Sequence, residues 1–477
     1  MLRVLARRPE LVAFWLAIVG GVAIAILTPP LAGGDERDHF TRAYQLSTGS
    51  ILTHHHGTAD GAYLPASFPA EEGQLARMSY IDPDRTAFVS DLGQGAPSGH
   101  SVFVSAGNAA SYGPGAYLDY ALSIAFGNLL GLSTLALLYL ARLAGVITYA
   151  LLLALAVRRV PIRPWLMVAV GLIPAALNQA STVSADGMTM VLSFLVVAEA
   201  LRLGLDPAAP RSRILAEAAV AGAVLALAKP PYVAFMLLFA VPAWRYRREM
   251  GRKLLIIGTG AFVLAGAWGA YQSSHAPSQN EASQWLVVPS HQYAFHGIEV
   301  GPQAHYVVSH PLSFLAAIGR TFAFEGLEFP KQLFGQLALY QLPWSAVVLS
   351  SASLCMAALA SHDGDSRSLG DVERAWLVAI SLLVAIGIFA IAYTNWNQYR
   401  APRIDAVNTR YLLPILPGLL IGLLPSRPRG PRVLRWRGWR YGVAGVAAVV
   451  LAVSLVGLQR FHYGPPHFPV ARASSSV

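Results

Sequence analysis

Directly after an apolar run near the N-terminus the chain reads PPLAGGDERDHFTRAY, residues 29–44, placing Asp35, Glu36, Asp38, His39 and Arg42 within one short stretch. Carboxylates of this kind can take a proton from a reacting hydroxyl, and an arginine fork can bind an oxyanion along two edges. A plainer account runs beside that one. Asp35 at a helix start with Asp38 three residues on suits N-capping, Gly49 suits the stop, and Arg42 one turn from Asp38 suits a surface ion pair. Capping alone, however, gives no reason for Glu36, His39 and Arg42. A second acid, Asp186 in LNQASTVSADGM, opens another apolar stretch among Asn178, Gln179, Ser181 and Ser184. A carboxylate at membrane depth is costly and is usually kept for a task, although Asp186 too would serve as a helix cap. Cations follow in two later places, Lys229 in ALAKPPY and Arg400, Arg403 and Arg410 in NQYRAPRIDAVNTRYLLP. Both residue types suit a phosphate, and both also snorkel to lipid headgroups.

The elements that must position these residues are apolar. Hydrophobic residues are 55% of the chain and charged residues 13%, with a mean hydropathy of +0.48, more apolar matter than one soluble core can hide. The sequence predicts an all-α polytopic membrane protein. Since about 20 residues of helix cross the hydrocarbon core, the apolar blocks predict about 11 transmembrane helices. They fall at 11–28, 133–157, 164–180, 184–205, 214–228, 232–244, 254–271, 339–361, 375–394, 411–424 and 441–458. The fifth and sixth are short, joined by KPPY, and read equally as one re-entrant pair. With the N-terminus cytoplasmic, the inside segments hold about 21 of the lysines and arginines, at a higher density than the outside ones.

The organisation expected is a cytoplasmic N-terminus and first span (1–28) and a first extracytoplasmic loop with the acidic motif and interfacial helices (29–132). Spans two to seven follow (133–271), then a second large extracytoplasmic loop (272–338), spans eight to eleven (339–458) and an extracytoplasmic tail (459–477). Amphipathic pieces in the two loops, AYLDYALSIAFGNLLGL and PLSFLAAIGRTFAFEGL, are expected to lie along the membrane interface. Residues 1–33 also resemble a signal peptide, but the apolar run is longer than a signal core, which favours an uncleaved helix.

Other features carry less. The net charge of +10 is explained largely by topology, so no nucleic-acid partner is expected. His54–His56 lack the one-turn spacing of helical zinc ligands, and His275, His291, His296, His305 and His310 are scattered. The lone Cys355 lies in an apolar block, which excludes a disulfide framework. No phosphate-binding Walker loop, dinucleotide glycine pattern or serine elbow is present.

Six motifs, DExxHFxRAY (35–44), YGPGAYLDYAL (112–122), QASTVSADG (179–187), KPPY (229–232), HPLSF (310–314) and NTRYLLPILP (408–417), together resemble a bacterial membrane-protein family of unknown function, domain-of-unknown-function 2142. That family is grouped with the GT-C fold glycosyltransferases. The resemblance implies a GT-C-like enzyme of the bacterial inner membrane. Such an enzyme moves a sugar from a polyprenyl-phosphate donor to an envelope glycan, lipid or protein acceptor on the extracytoplasmic face, by one inverting displacement. It implies Asp35 as catalytic base with Glu36 as its competitor, and Asp186 positioning the acceptor or sharing a divalent cation, Mg or Mn, with Asp35. Lys229, Arg410 and Arg403 would neutralise the departing phosphate, and His39, Arg42, Tyr112, Tyr232, Arg400 and Tyr411 complete the candidate substrate-binding set. Before RY this chain has Asn408 and Thr409 where the family commonly has glutamine and glycine, which leaves the local turn open. Rival readings are a ligase or polymerase using polyprenyl-pyrophosphate glycans, served by the loop histidines, a lipid-linked-sugar flippase, and a non-catalytic assembly factor.

Overall fold

The computed structural model describes residues 8–57, 59–80, 95–206, 210–275, 298–338, 340–360, 369–405, 407–424 and 439–463. Helix α1 spans Pro9–Leu27, with Pro9 in its first turn, where a missing N–H goes unused. Leu31 and Asp35 then take left-handed backbone (φ 59° and 58°) on either side of Gly33 and Gly34. This double turn reverses the chain into α2, Glu36–Ser47, which stops before Gly49 at φ 85°.

A small antiparallel sheet follows, β1 (His54–His56), β2 (Ala59–Pro65) and β3 (Ser101–Ser105) in that order, with α3 (Ser67–Tyr80) between β2 and β3. Helix α4 spans Leu118–Leu129, and α5, Thr134–Arg159, is capped by Ser133, whose hydroxyl accepts from the Ala136 N–H. Phe40, Tyr44, Leu64, Phe68, Val104, Tyr117 and Ile124 close an apolar core here that continues into Leu137 and Ala141 of α5. The sheet corrects the all-α expectation. Its longer strands have 7 and 5 residues, too short for alternation to stand out among apolar helices.

The span predicted at 164–180 is broken into α6 (Pro164–Gly171) and α7 (Pro174–Ser181), since Pro174 cannot donate to a continuing helix. Helix α8, Ala185–Leu205, is the centre of the bundle, with Ala185–Leu201 buried throughout, whereas α11, Arg252–His275, leaves Leu255, Ile256 and Val263 exposed. Between them lie α9 (Arg211–Ala226), a 3-10 helix over Pro230–Phe239 and the short α10 (Ala240–Arg245). Next come α12 (Val300–Ser309), α13 (Pro311–Glu325) and α14 (Glu328–Gly335), then the two-residue strands β4 and β5. The last part holds α15 (Trp344–Ala360), α16 (Asp371–Trp396), a 3-10 helix over Thr409–Ile415 running into α17 (Leu416–Leu423), and α18 (Trp439–Tyr463).

Helical segments occur at every predicted position, but the count of spans changes. Among the described residues six helices, α1, α5, α8, α11, α16 and α18, are long and apolar enough to cross a membrane, or seven if α12 and α13, bent by 103°, form one. The other predicted spans are short or broken. Hydropathy averages over such breaks and cannot see them. Helix α4 exposes Leu122, Phe126 and Leu129, and α13 exposes Leu312, Leu315 and Phe324, the apolar faces anticipated from sequence. The predicted tail beyond Tyr463, His291 and His296 lie outside the described residues.

Candidate active site

Asp35 sits where the left-handed turn enters α2, yet its side chain makes no capping bond. One carboxylate oxygen, Oδ2, instead accepts from Arg410 Nη2 at 3.0 Å. Gly34 allows the approach, because a Cβ there would lie 2.7 Å from Arg410 Nη1. Asp186 is likewise released from capping: Ser184 caps α8 by accepting the Asp186 N–H at 3.2 Å. The Asp186 carboxylate is thus left to meet two cations, with Oδ2 at 3.0 Å from Arg410 Nε and Oδ1 paired with Lys229 Nζ. Asn408 caps its own 3-10 helix by accepting the Arg410 N–H at 3.2 Å, which answers how the chain turns ahead of Arg410.

The outcome is a row of alternating charge, Asp35, Arg410, Asp186 and Lys229. Side-chain exposure is 60% at Asp35 but only 10% at Arg410, 5% at Asp186 and 8% at Lys229. The open end is therefore a carboxylate and the closed end an ammonium. Buried ions cost several kcal/mol each unless paired, so the row holds together only as a unit.

Tyrosines wall it in. Lys229 Nζ lies 4.7 Å from the Tyr112 ring centroid and 4.3 Å from that of Tyr411, favourable cation–π distances. Tyr232 fixes this wall by donating its hydroxyl to the Tyr411 carbonyl at 2.6 Å. His39 stacks on Tyr112 with ring centroids 5.8 Å apart, and its Nδ1 lies 2.7 Å from the Tyr117 hydroxyl. Burial, then Lys229, pushes the His39 pKa down to about 4, so the imidazole is neutral near pH 7. Asp38 moves the other way, up to about 6, through burial and the nearby carboxylates of Asp35 and Glu72. Fully buried Arg42 donates to Gln45 Oε1 at 2.6 Å, to the Ile51 carbonyl at 2.9 Å and to the Tyr112 carbonyl at 3.4 Å. It therefore fixes the backbone of Tyr112 rather than pairing with Asp38.

The glycines of YGPGAY explain how that loop reaches the site. A Cβ on Gly113 would sit 2.1 Å from the Leu227 carbonyl and one on Gly115 2.4 Å from the Val224 carbonyl. Only glycine lets the loop press on the end of α9, two residues before Lys229.

The acids are held in different ways. Glu36 is fully buried, and its oxygens accept from Arg142 Nε at 2.8 Å and Nη2 at 2.6 Å, Gly33 N at 3.1 Å and Val183 N at 3.0 Å. With every lone-pair direction engaged and no exposed surface, the Glu36 carboxylate serves as an anchor for the turn and leaves no oxygen facing the opening. Asp35 and Asp186 meet at Arg410, whose guanidinium lies 3.0 Å from an oxygen of each. Among the described residues no three His, Cys, Asp or Glu gather in a group that could hold a metal ion.

Five of the six motifs converge here, and the sixth does not. Phe314 of HPLSF packs on Tyr393 with centroids 5.7 Å apart, and His310 stacks on Tyr306 at 4.7 Å. Arg400, at φ 58°, lies against Tyr306 and Tyr399, while Arg403 pairs with Asp405 at 2.8 Å and covers the Phe324 ring. Both arginines thus serve the α12–α13 region instead of the acidic row. The sequence reading missed Arg142 and Tyr117. An arginine inside an apolar block, as in LALLYLARLAG, was the available signal.

Comparison with protein families matches residues 18–419 to the family described as a predicted membrane protein, DUF2142. No curated protein and no solved structure matches the chain.

Proposed function

We propose, from the premise that the chain belongs to the DUF2142 family of predicted membrane proteins, that it is a membrane glycosyltransferase of GT-C type. Its donor is a polyprenyl-phosphate sugar and its acceptor a hydroxyl of the bacterial cell envelope. The observation that carries this reading is the graded row, in which an exposed carboxylate, Asp35, lies 3.0 Å from a largely buried guanidinium, that of Arg410. One group is accessible to a hydroxyl; the other suits a phosphate oxygen.

In the reaction the acceptor oxygen attacks the sugar's anomeric carbon, and the bond from that carbon to the phosphate oxygen breaks. Asp35 takes the hydroxyl proton, and the electron pair of the broken bond leaves on the phosphate. Arg410 meets the charge that develops there. Asp186 and Lys229 hold Arg410 in place, and Tyr112, Tyr232 and Tyr411 shape the adjoining wall, with the flat faces that sugars favour. A single displacement inverts the anomeric centre. The donor's tail stays in lipid, which suits a row built where α1 ends and α8 begins.

The test uses full-length protein in nanodiscs with radiolabelled polyprenyl-phosphate sugars and envelope extract. Wild type should transfer label, and Asp35→Asn should lose roughly 10²–10⁴-fold, the usual worth of a general base. Transfer that survives in Asp35→Asn removes the role given to that residue; donor that binds without ever yielding its sugar favours a flippase.

A further inference from the structure

Arg410 has more to satisfy than its present partners allow. It is nine-tenths buried and lies 3.0 Å from both Asp35 Oδ2 and Asp186 Oδ2. The Nε contact is an ion pair without hydrogen-bond geometry: neither Arg410 Nε nor Asp186 Oδ2 completes a bond. The two acids are also held unequally. Asp186 is gripped by Lys229 as well, within the tyrosine wall, whereas Asp35 has a 60% exposed side chain. Any oxyanion arriving at Arg410 competes first with Asp35, the more exposed of the two and the one without a second cation.

We infer that a prenyl phosphate, the diester of the sugar donor or the monoester it leaves behind, and Asp35 compete for the same edge of Arg410, so that binding of a lipid phosphate releases the Asp35 carboxylate. This rests on the reading above and adds an order to it: the donor binds first, and only then is the proton acceptor free of its counter-ion. While Asp35 Oδ2 accepts from Arg410, that oxygen is turned to the guanidinium and not to an incoming hydroxyl. A phosphate drawing Arg410 to itself frees the oxygen at the moment the sugar is in place. Without donor, water meets a carboxylate held by its counter-ion.

The discriminating probe is a short-chain polyprenyl monophosphate without sugar, titrated into the full chain in nanodiscs. Asp35→Asn should bind it roughly fivefold more tightly or better, because a competing anion is gone. Arg410→Gln should lose binding, Arg410→Lys should retain part of it, and Asp35→Glu should stay near wild type. Equal or weaker binding by Asp35→Asn, with wild-type binding measurable, overturns the competition while leaving the phosphate site intact. Absence of binding by wild type overturns both the competition and the polyprenyl-phosphate reading. Inorganic phosphate in a parallel titration separates the sources, since a lipid-phosphate site favours the prenyl compound and a free-phosphate site does not.

Discussion

Single residues divide into those that face the opening and those that hold the wall. Asp35, Asp186, Lys229 and Arg410 were legible one by one, because an ionisable group beside an apolar block is costly wherever it falls. Their mutual pairing was not, since 375 residues separate Asp35 from Arg410. Two buried neighbours give the site opposite responses to acid. Asp38 has a folded pKa raised from 3.8 to about 6, so the unfolded chain ionises first and stability falls as pH rises across that window. His39 has a folded pKa lowered from 6.5 to about 4, so the unfolded chain takes up its proton first and stability falls as pH drops across that window. Melting of wild type between pH 4 and 7 should therefore be flatter than either variant. Asp38→Asn should gain on wild type toward pH 6, and His39→Gln should gain toward pH 4, each by about 1–3 kcal/mol. A pH-independent difference for Asp38→Asn shows that its carboxyl does not titrate as argued.

Elements were legible where their pattern is local. Helix α2 begins and ends where the acidic motif and Gly49 place it, but the three-stranded sheet and the break before Pro174 leave little trace against apolar neighbours. Two tight contacts determine how the elements meet. Gly115→Ala should cost about 1–3 kcal/mol by overpacking and should weaken probe binding by shifting the end of α9, which leads through Leu227 into Lys229. Gly319→Ala in α13, with nothing within 4 Å of the added methyl, should be neutral or slightly stabilising. Glu36→Gln leaves Arg142 buried and uncompensated, a loss of about 3–5 kcal/mol, while Glu36→Leu combined with Arg142→Leu should be milder than either alone. A double variant worse than the sum of the singles denies the anchor role.

At the scale of the whole molecule the apolar class and the membrane setting were plain, and the number of crossings was not. Hydropathy finds an apolar segment but not whether a short helix spans or turns back. The polar positions of α8 show why it is central. Asp186 near its start and Glu199 near its end, the latter 3.1 Å from Arg159, are tolerated because neighbours shield them from lipid. Orientation is open to a direct check. With Cys355 replaced by serine, a membrane-impermeant maleimide on intact cells should label Thr48→Cys, at the far end of the α2 helix that Asp35 opens, and leave Arg248→Cys, in a basic segment, unlabelled. Reversed labelling puts the row on the cytoplasmic side.

The anchor also has a consequence in time. Arg142 gathers the carbonyls of Ala25, Thr28 and Pro29 together with the Glu36 carboxylate, which is synthesised 106 residues earlier. During translation the turn after α1 therefore waits with an acid whose counter-charge has yet to leave the ribosome. Helix α5, with an arginine in its apolar length, is in turn poorly suited to lipid until that acid receives it. A chain that ends before α5 should therefore hold the turn after α1 less firmly than the full chain, with protease sensitivity of that turn as the measurement.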